Sequence, residues 1–295
     1  DRKLKVVIDA GNGTAGKIAP EFLRKLGCEV TELYCDLDGN FPNHEANPEE
    51  QKNMEDLIKT VRAQKADLGI GFDGDGDRLG LVDEKGQNIW PDRYLILLAR
   101  LILEKKPHAK IVFDVKCSQA LPEDIKAHGG IPVMWKTGHS YIKEKITQEH
   151  ASLGGEMSGH IFFVEDYYGF DDAFFAALKL MEYFSTQNKK VSEIIAETPY
   201  YISTPALHAS CPDEKKYEVV EELTSEFKKQ YEVIDVNGAR VLFGDGWGLV
   251  RASSNLPALV LRFEARTEER LKEIEAIFRE KLSRYDEVSQ EWYPA

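Results

Sequence analysis

Asp73, Asp75 and Asp77 alternate with Gly74 and Gly76, and Arg78 follows at once. Carboxylates spaced this way on a glycine-softened backbone can converge on one hard cation, and all-oxygen ligation suits Mg²⁺ or Ca²⁺. Left without an ion they would repel, since two unit charges ~4 Å apart cost roughly 4 kcal/mol at an effective dielectric near 20. A helix-loop-helix calcium site spaces its carboxylates alike and ends on a Glu where Glu84 stands. It needs a glycine where Arg78 stands, however, and a helix where Ala66 to Phe72 reads as a strand. The plain alternative is a solvated Asp-Gly turn. A hard divalent cation, Mg²⁺ or Ca²⁺, is what this spacing points to.

A second chemical stretch is Gly155-Glu156-Met157-Ser158-Gly159-His160. Glu156 and Ser158 offer acceptors for neighbouring sugar hydroxyls, and a histidine of ordinary pKa titrates near neutrality, so His160 is a candidate proton carrier. A third is Arg251-Ala252-Ser253-Ser254-Asn255, where a guanidinium, hydroxyls and backbone amides could hold one phosphate. Lys116 and His139 are each read as closing a strand-like segment, the end at which open α/β sheets gather ligands. Singly, His160 has a plainer reading as a surface or packing residue and the Arg251 stretch as a polar hairpin turn.

Gly11-Asn12-Gly13-Thr14-Ala15-Gly16 satisfies the dinucleotide fingerprint, with Glu32 or Asp36 near the expected acidic position. Extended to Lys17 it nearly satisfies a phosphate loop, but Ile18 replaces the Ser or Thr that would hold Mg²⁺. The competing reading is a glycine-rich strand-to-helix turn with no ligand. An NAD-binding oxidoreductase using this turn is one alternative function; it leaves the acidic triad without a task.

The elements that must position these groups alternate between apolar strand-like runs and amphipathic helical stretches, as in layered α/β proteins. The expected fold is two consecutive α/β domains with mixed sheets, over 1–87 and 88–199. A C-terminal α+β domain with an antiparallel sheet would follow over 200–295. Helices are expected over 16–26, 48–64 and 141–149, and strands flank the acidic loop. The chain has 295 residues, 42% hydrophobic and 30% charged, with a net charge of −13, which disfavours nucleic acid and acidic membrane surfaces as partners. Four cysteines form no CxxC pair and no apolar run is long enough to cross a bilayer, so a reducing cytoplasm is the expected setting.

Taken together, the ordered motifs resemble the α-D-phosphohexomutases, and within them the bacterial phosphomannomutase/phosphoglucomutase group. Asp73 to Arg78 is similar to the family's metal loop, Gly155 to His160 to its sugar-recognition loop, and Arg251 to Asn255 to its phosphate loop. Met157 favours the mannose/glucose group, and Gly11 to Gly16 has a counterpart as a structural turn opening the second domain. The resemblance implies that Asp73, Asp75 and Asp77 hold Mg²⁺ and that Arg78 supports the transferred phosphate. It also implies that Glu156 and Ser158 grip hydroxyls, and that Arg251, Ser253, Ser254 and Asn255 anchor the other phosphate. Lys116 and His139 would line the cleft, and His160 would carry the proton. The implied substrates are mannose or glucose 1- and 6-phosphates, interconverted through a 1,6-bisphosphate. The phosphoserine of that family lies in a first domain, and no serine here has its Ser-His-Asn context. These residues are therefore expected to be domains two to four, partnered by the N-terminal domain of the same enzyme and inactive alone. A non-catalytic sugar-phosphate binding protein is the other alternative.

Overall fold

The computed structural model describes residues 2–294. Runs such as Lys5-Val-Val-Ile-Asp9 are apolar at successive positions, the pattern of a strand covered on both faces. β1 (Lys5–Asp9) pairs in parallel with β2 (Glu29–Leu33) on one side and β3 (Leu68–Phe72) on the other. β3 then reverses into antiparallel β4 (Leu79–Asp83), which pairs with β5 (Asn88–Ile89), so the sheet is mixed, in the order β2-β1-β3-β4-β5. The β3/β4 register sets Phe72 opposite Leu79, and residues 73–78 become the hairpin connection. Helices α1 (Ala19–Lys25) and α2 (Glu55–Gln64) accompany this sheet, with Leu57 and Val61 of α2 fully buried beside Val7 and Val82.

The next stretch starts with α3 (Pro91–Lys105), whose proline at the first helical position fits a site with no amide to satisfy. It continues through β6 (Lys110–Asp114), α4 (Ala120–Ala127), β7 (Ile131–Trp135), α5 (His139–Glu149), β8 (Leu153–Gly155) and β9 (Ile161–Phe163). The sheet order is β7-β6-β8-β9, with β6 and β8 parallel and β8 and β9 antiparallel. α6 (Ala173–Thr186) is capped by Asp172, which accepts the Phe175 N–H, and α7 (Val191–Ala196) follows. Apart from residues 118–120 and 134–137, everything up to Pro199 forms one compact unit.

Residues 200–295 and those two short stretches form a second unit. Its elements are β10 (Ile202–Ser203), β11 (Leu207–Ser210), α8 (Asp213–Phe227), β12 (Glu232–Ile234), β13 (Ala239–Leu242), β14 (Gly246–Ala252), β15 (Ala258–Ala265), α9 (Glu268–Leu282) and β16 (Trp292–Pro294). Every pairing in its sheet is antiparallel, in the order β12-β13-β14-β15-β11-β16, with β10 also on β15. α8 and α9 bury Leu223, Phe227, Ile274 and Phe278 with Val250, Leu261 and Phe263 of the sheet. Each buried phenylalanine there contributes about 2 kcal/mol in transfer terms. Among the described residues no helix is long and apolar enough to cross a membrane.

Some local expectations are corrected. The first helix begins only at Ala19, after a 3₁₀ turn over Thr14–Lys17, because Pro20 sets its start. The helix expected from Pro48 begins at Glu55 behind a 3₁₀ turn over Gln51–Met54. There the Asn47 side chain takes the Glu49 N–H, offering the backbone an alternative to helix. His139 does not close a strand; it is the first residue of α5.

Candidate active site

Asp73 organises the acidic loop from within. It is 2% exposed, and its Oδ1 accepts the backbone N–H groups of Gly76, Asp77 and Arg78 at 3.0, 3.0 and 3.1 Å. Its Oδ2 accepts from Arg78 Nε at 2.7 Å. Burial works against the Asp73 charge, but the guanidinium and backbone amide of Arg78 hold the carboxyl below its usual range. The loop wrapped on Asp73 brings ligand oxygens of Asp73, Asp75 and Asp77 within 4.8 Å of one another. Burial, with the charges of Asp73 and Asp75, pushes Asp77 up to about 7. Three carboxyls held against their own repulsion, one of them exposed, are a donor set that fits a hard divalent cation.

Residues 156–160 meet this loop through the main chain. Leu79 N–H donates to Gly159 O at 3.1 Å, and Arg78 and His160 form an antiparallel bridge. Gly159 has φ +101°, and a Cβ there would stand 2.9 Å from Leu79 O, so only glycine allows this approach. The same Leu79 carbonyl accepts the hydroxyl of fully buried Tyr94 at 2.7 Å, and Ala173 N–H donates to Gly76 O at 3.3 Å.

The side chains then converge. Glu156 is 1% exposed; its Oε1 accepts Gly138 N–H at 2.5 Å, and its Oε2 lies 3.5 Å from His160 Nδ1 with no hydrogen bond among the described residues. Burial, helped by Asp114, raises Glu156 to about 8, so in this state it carries a proton at neutral pH. Ser158 Oγ lies 2.9 Å from His160 Nδ1, and His160 Nε2 lies 3.4 Å from Asp77 Oδ1. The expectation that His160 titrates near neutrality is corrected: burial pulls it down to about 4 although Asp171 opposes this, and the ring is neutral at pH 7. His139 stacks on His160 with centroids 5.6 Å apart. Asp171 stands 3.7 Å from His139 Nδ1 and 3.1 Å from Lys143 Nζ, and groups with Asp77 and His160 within 4.8 Å.

The cations adjoin the same place. Arg78 Nη1 donates to Asn47 Oδ1 at 2.9 Å and lies 4.0 Å from Glu49, whose other oxygen is 3.5 Å from Lys116 Nζ. Asn47, Glu49, Gly138, Asp171 and Tyr94 were not singled out in the sequence. Only Asp171, beside Asp172 after a glycine-aromatic turn, carries a local signal.

Arg251, Ser253, Ser254 and Asn255 belong to the second unit. Arg251 sits at 9% exposure on β14, and Ser253 Oγ accepts the N–H groups of Asn255 and Leu256 at 3.4 and 3.2 Å, closing the turn. The Gly11–Gly16 turn is not a cradle. Asn12, Gly13 and Thr14 N–H groups donate to Tyr34, Ala10 and Gly74 carbonyls, and a Cβ on Gly13 would lie 2.7 Å from Gly74 O. Its glycines let it pack on the acidic loop, which removes the dinucleotide reading.

Descriptions of phosphoglucomutase/phosphomannomutase domains match in order: alpha/beta/alpha domain II over residues 1–86, alpha/beta/alpha domain III over 90–201, and the C-terminal domain over 208–281. The chain belongs to the phosphoglucomutase/phosphomannomutase family. It is 46% identical over 286 residues to a phosphomannomutase/phosphoglucomutase of Pseudomonas aeruginosa, covering 97% of this chain and 62% of that one. It is 46% identical over 281 residues to a phosphoglucomutase of Neisseria meningitidis serogroup A, covering 94% and 61%. The chain thus spans about three fifths of the length of these curated relatives. A family structure from Burkholderia thailandensis superposes with a TM-score of 0.90 at 42% identity, over 96% of this chain and 61% of that one. An Aspergillus fumigatus N-acetylphosphoglucosamine mutase, in complex with GlcNAc-6P and magnesium, shares the fold at 16% identity and a TM-score of 0.67, over 95% and 61%.

Proposed function

We propose that this family member handles mannose or glucose phosphates, in a reaction that moves a phosphoryl group between C1 and C6 through a 1,6-bisphosphate. The observation that carries this is the Leu79–Gly159 hydrogen bond, which seats a carboxylate cluster beside a polyol-type loop and a neutral imidazole. Asp73, Asp75 and Asp77 would hold Mg²⁺, which when bound neutralises charge on phosphoryl oxygens. The magnesium in the A. fumigatus mutase complex supports that assignment. Arg78, fixed by Asp73 and Asn47, presents its guanidinium to the transferred phosphoryl group, with Lys116 as second cation. Glu156 and Ser158 orient sugar hydroxyls, and His139 flanks them. His160, neutral at pH 7, accepts the proton of the attacking hydroxyl at Nε2, the nitrogen facing Asp77. Arg251, Ser253, Ser254 and Asn255 supply the donors for the phosphate that does not react.

Domain boundaries near residues 87 and 199 and a cytoplasmic setting belong to the same proposal. No serine here has the phosphoserine context of the family, so these 295 residues bind substrate without turning it over. Calorimetry with mannose 1-phosphate, with and without Mg²⁺, tests the reading: affinity should rise with metal and the gain should vanish in Asp75→Asn. Mg²⁺ affinity unchanged by that substitution overturns the metal assignment.

A further inference from the structure

Glu49 follows Asn47-Pro48 on the connection between β2 and α2, outside the motifs. Asn47 Oδ1 accepts both the Glu49 N–H at 3.3 Å and Arg78 Nη1 at 2.9 Å, so one amide fixes where Glu49 stands relative to Arg78. The Glu49 carboxylate spans two cations, with Oε1 3.5 Å from Lys116 Nζ and Oε2 4.0 Å from Arg78 Nη1. Both distances exceed hydrogen-bond length, which makes this a loose ion pair. Arg78 is held tightly elsewhere, by Asp73 at 2.7 Å. The partners also differ in exposure: the Lys116 side chain is 8% exposed and that of Arg78 24%, whereas Glu49 is 37% exposed and reachable by water.

A carboxylate bridging two largely buried cations, loosely bonded and open to solvent on one side, is an anion standing where a larger anion would be received. Removing it would leave Arg78 on Asp73 and still raise the positive potential around Arg78 and Lys116, and with it their grip on any phosphate. We propose that Glu49 is an internal counter-ion of Arg78 and Lys116 that is displaced by the incoming phosphoryl group. It thereby weakens phosphoryl binding enough for the ligand to leave again. The proposal rests on the phosphosugar reading of these cations and adds a residue that sets affinity.

The test titrates inorganic phosphate and mannose 1-phosphate by calorimetry into the parent chain, Glu49→Gln and Glu55→Gln. Glu55 is an exposed residue at the start of α2 paired with Lys59, so its change removes one negative charge without touching Arg78 or Lys116. The Arg251 loop is the same in all three proteins, so differences between them do not come from it. Glu49→Gln is expected to bind both ligands about tenfold more tightly, the order set by removing one unit charge a few ångströms from the anion, with Glu55→Gln at the parental value. Equal or weaker binding by Glu49→Gln overturns the proposal, as does an equal gain in Glu55→Gln. Absence of binding in the parent and both variants overturns the phosphosugar reading itself.

Discussion

At the scale of single residues, the carboxyls of the candidate site divide by what surrounds them. Asp73 is ionised because three amides and a guanidinium point at it, while Asp77 and Glu156 are raised to about 7 and about 8 by burial and neighbouring charge. Raised carboxyls bind protons in the native state that the unfolded chain has released. Their stabilising contribution is therefore complete below the ordinary carboxyl range and lost as pH rises to about 7 and about 8. His160 runs the other way: lowered to about 4, it weakens the fold as pH falls from about 6.5 toward 4. Between about pH 6.5 and 8.5 these raised carboxyls, and His44 raised by its hydrogen bond to Asp9, all act in one direction, so the melting temperature of chelator-treated protein should fall across that window. Asp77→Asn or Glu156→Gln should each flatten the fall. Mg²⁺ should restore several degrees at pH 8 and less at pH 5.5, because its ligands must first shed protons. A melting temperature flat from pH 6.5 to 8.5 with and without Mg²⁺ would contradict the account of the cluster.

At the scale of elements, the acidic loop and the 156–160 loop behave as one construction, joined through Leu79 and Gly159 and braced by Tyr94. Gly159→Ala places a Cβ 2.9 Å from Leu79 O at a φ of +101° and should part the two loops. Mg²⁺ affinity is then expected to fall about tenfold, the factor for ~1.4 kcal/mol, although Gly159 supplies no ligand atom. Tyr94→Phe strands a buried carbonyl partner and should cost about 1–3 kcal/mol in urea unfolding, with Mg²⁺ affinity reduced in the same direction. Unaltered Mg²⁺ binding in both variants would show the loops to be independent. Much of this construction was legible beforehand, since apolar β1, β3 and β4 and the alternating Asp-Gly run have strong local signatures. β8 and β9 have three residues each, too few for alternation to register. Asn47, Glu49, Gly138 and Tyr94 act through partners 15 to 67 positions away, such as Arg78 for Asn47 at 31 and Glu156 for Gly138 at 18, which no local pattern reports.

At the scale of the whole molecule, a net charge of −13 opposes an anionic ligand, so under the proposed function phosphate would be received through local cations and a metal. Mg²⁺ on the aspartates would remove the largest nearby repulsion, and hexose phosphate would in turn supply oxygens for the ion. The two ligands should therefore be coupled, and coupling between binding equilibria is reciprocal. If Mg²⁺ raises the affinity for mannose 1-phosphate by some factor, mannose 1-phosphate must raise Mg²⁺ affinity by the same factor, and at least fivefold is expected. Crossed calorimetric titrations measure both. Phosphorus NMR of the fully liganded chain should meanwhile show no mannose 6-phosphate forming, because binding, orientation and proton transfer do not replace a phosphoryl donor. Independent binding of metal and sugar phosphate would separate the aspartate cluster from phosphate handling. Accumulating mannose 6-phosphate would show that these residues contain a donor group of their own.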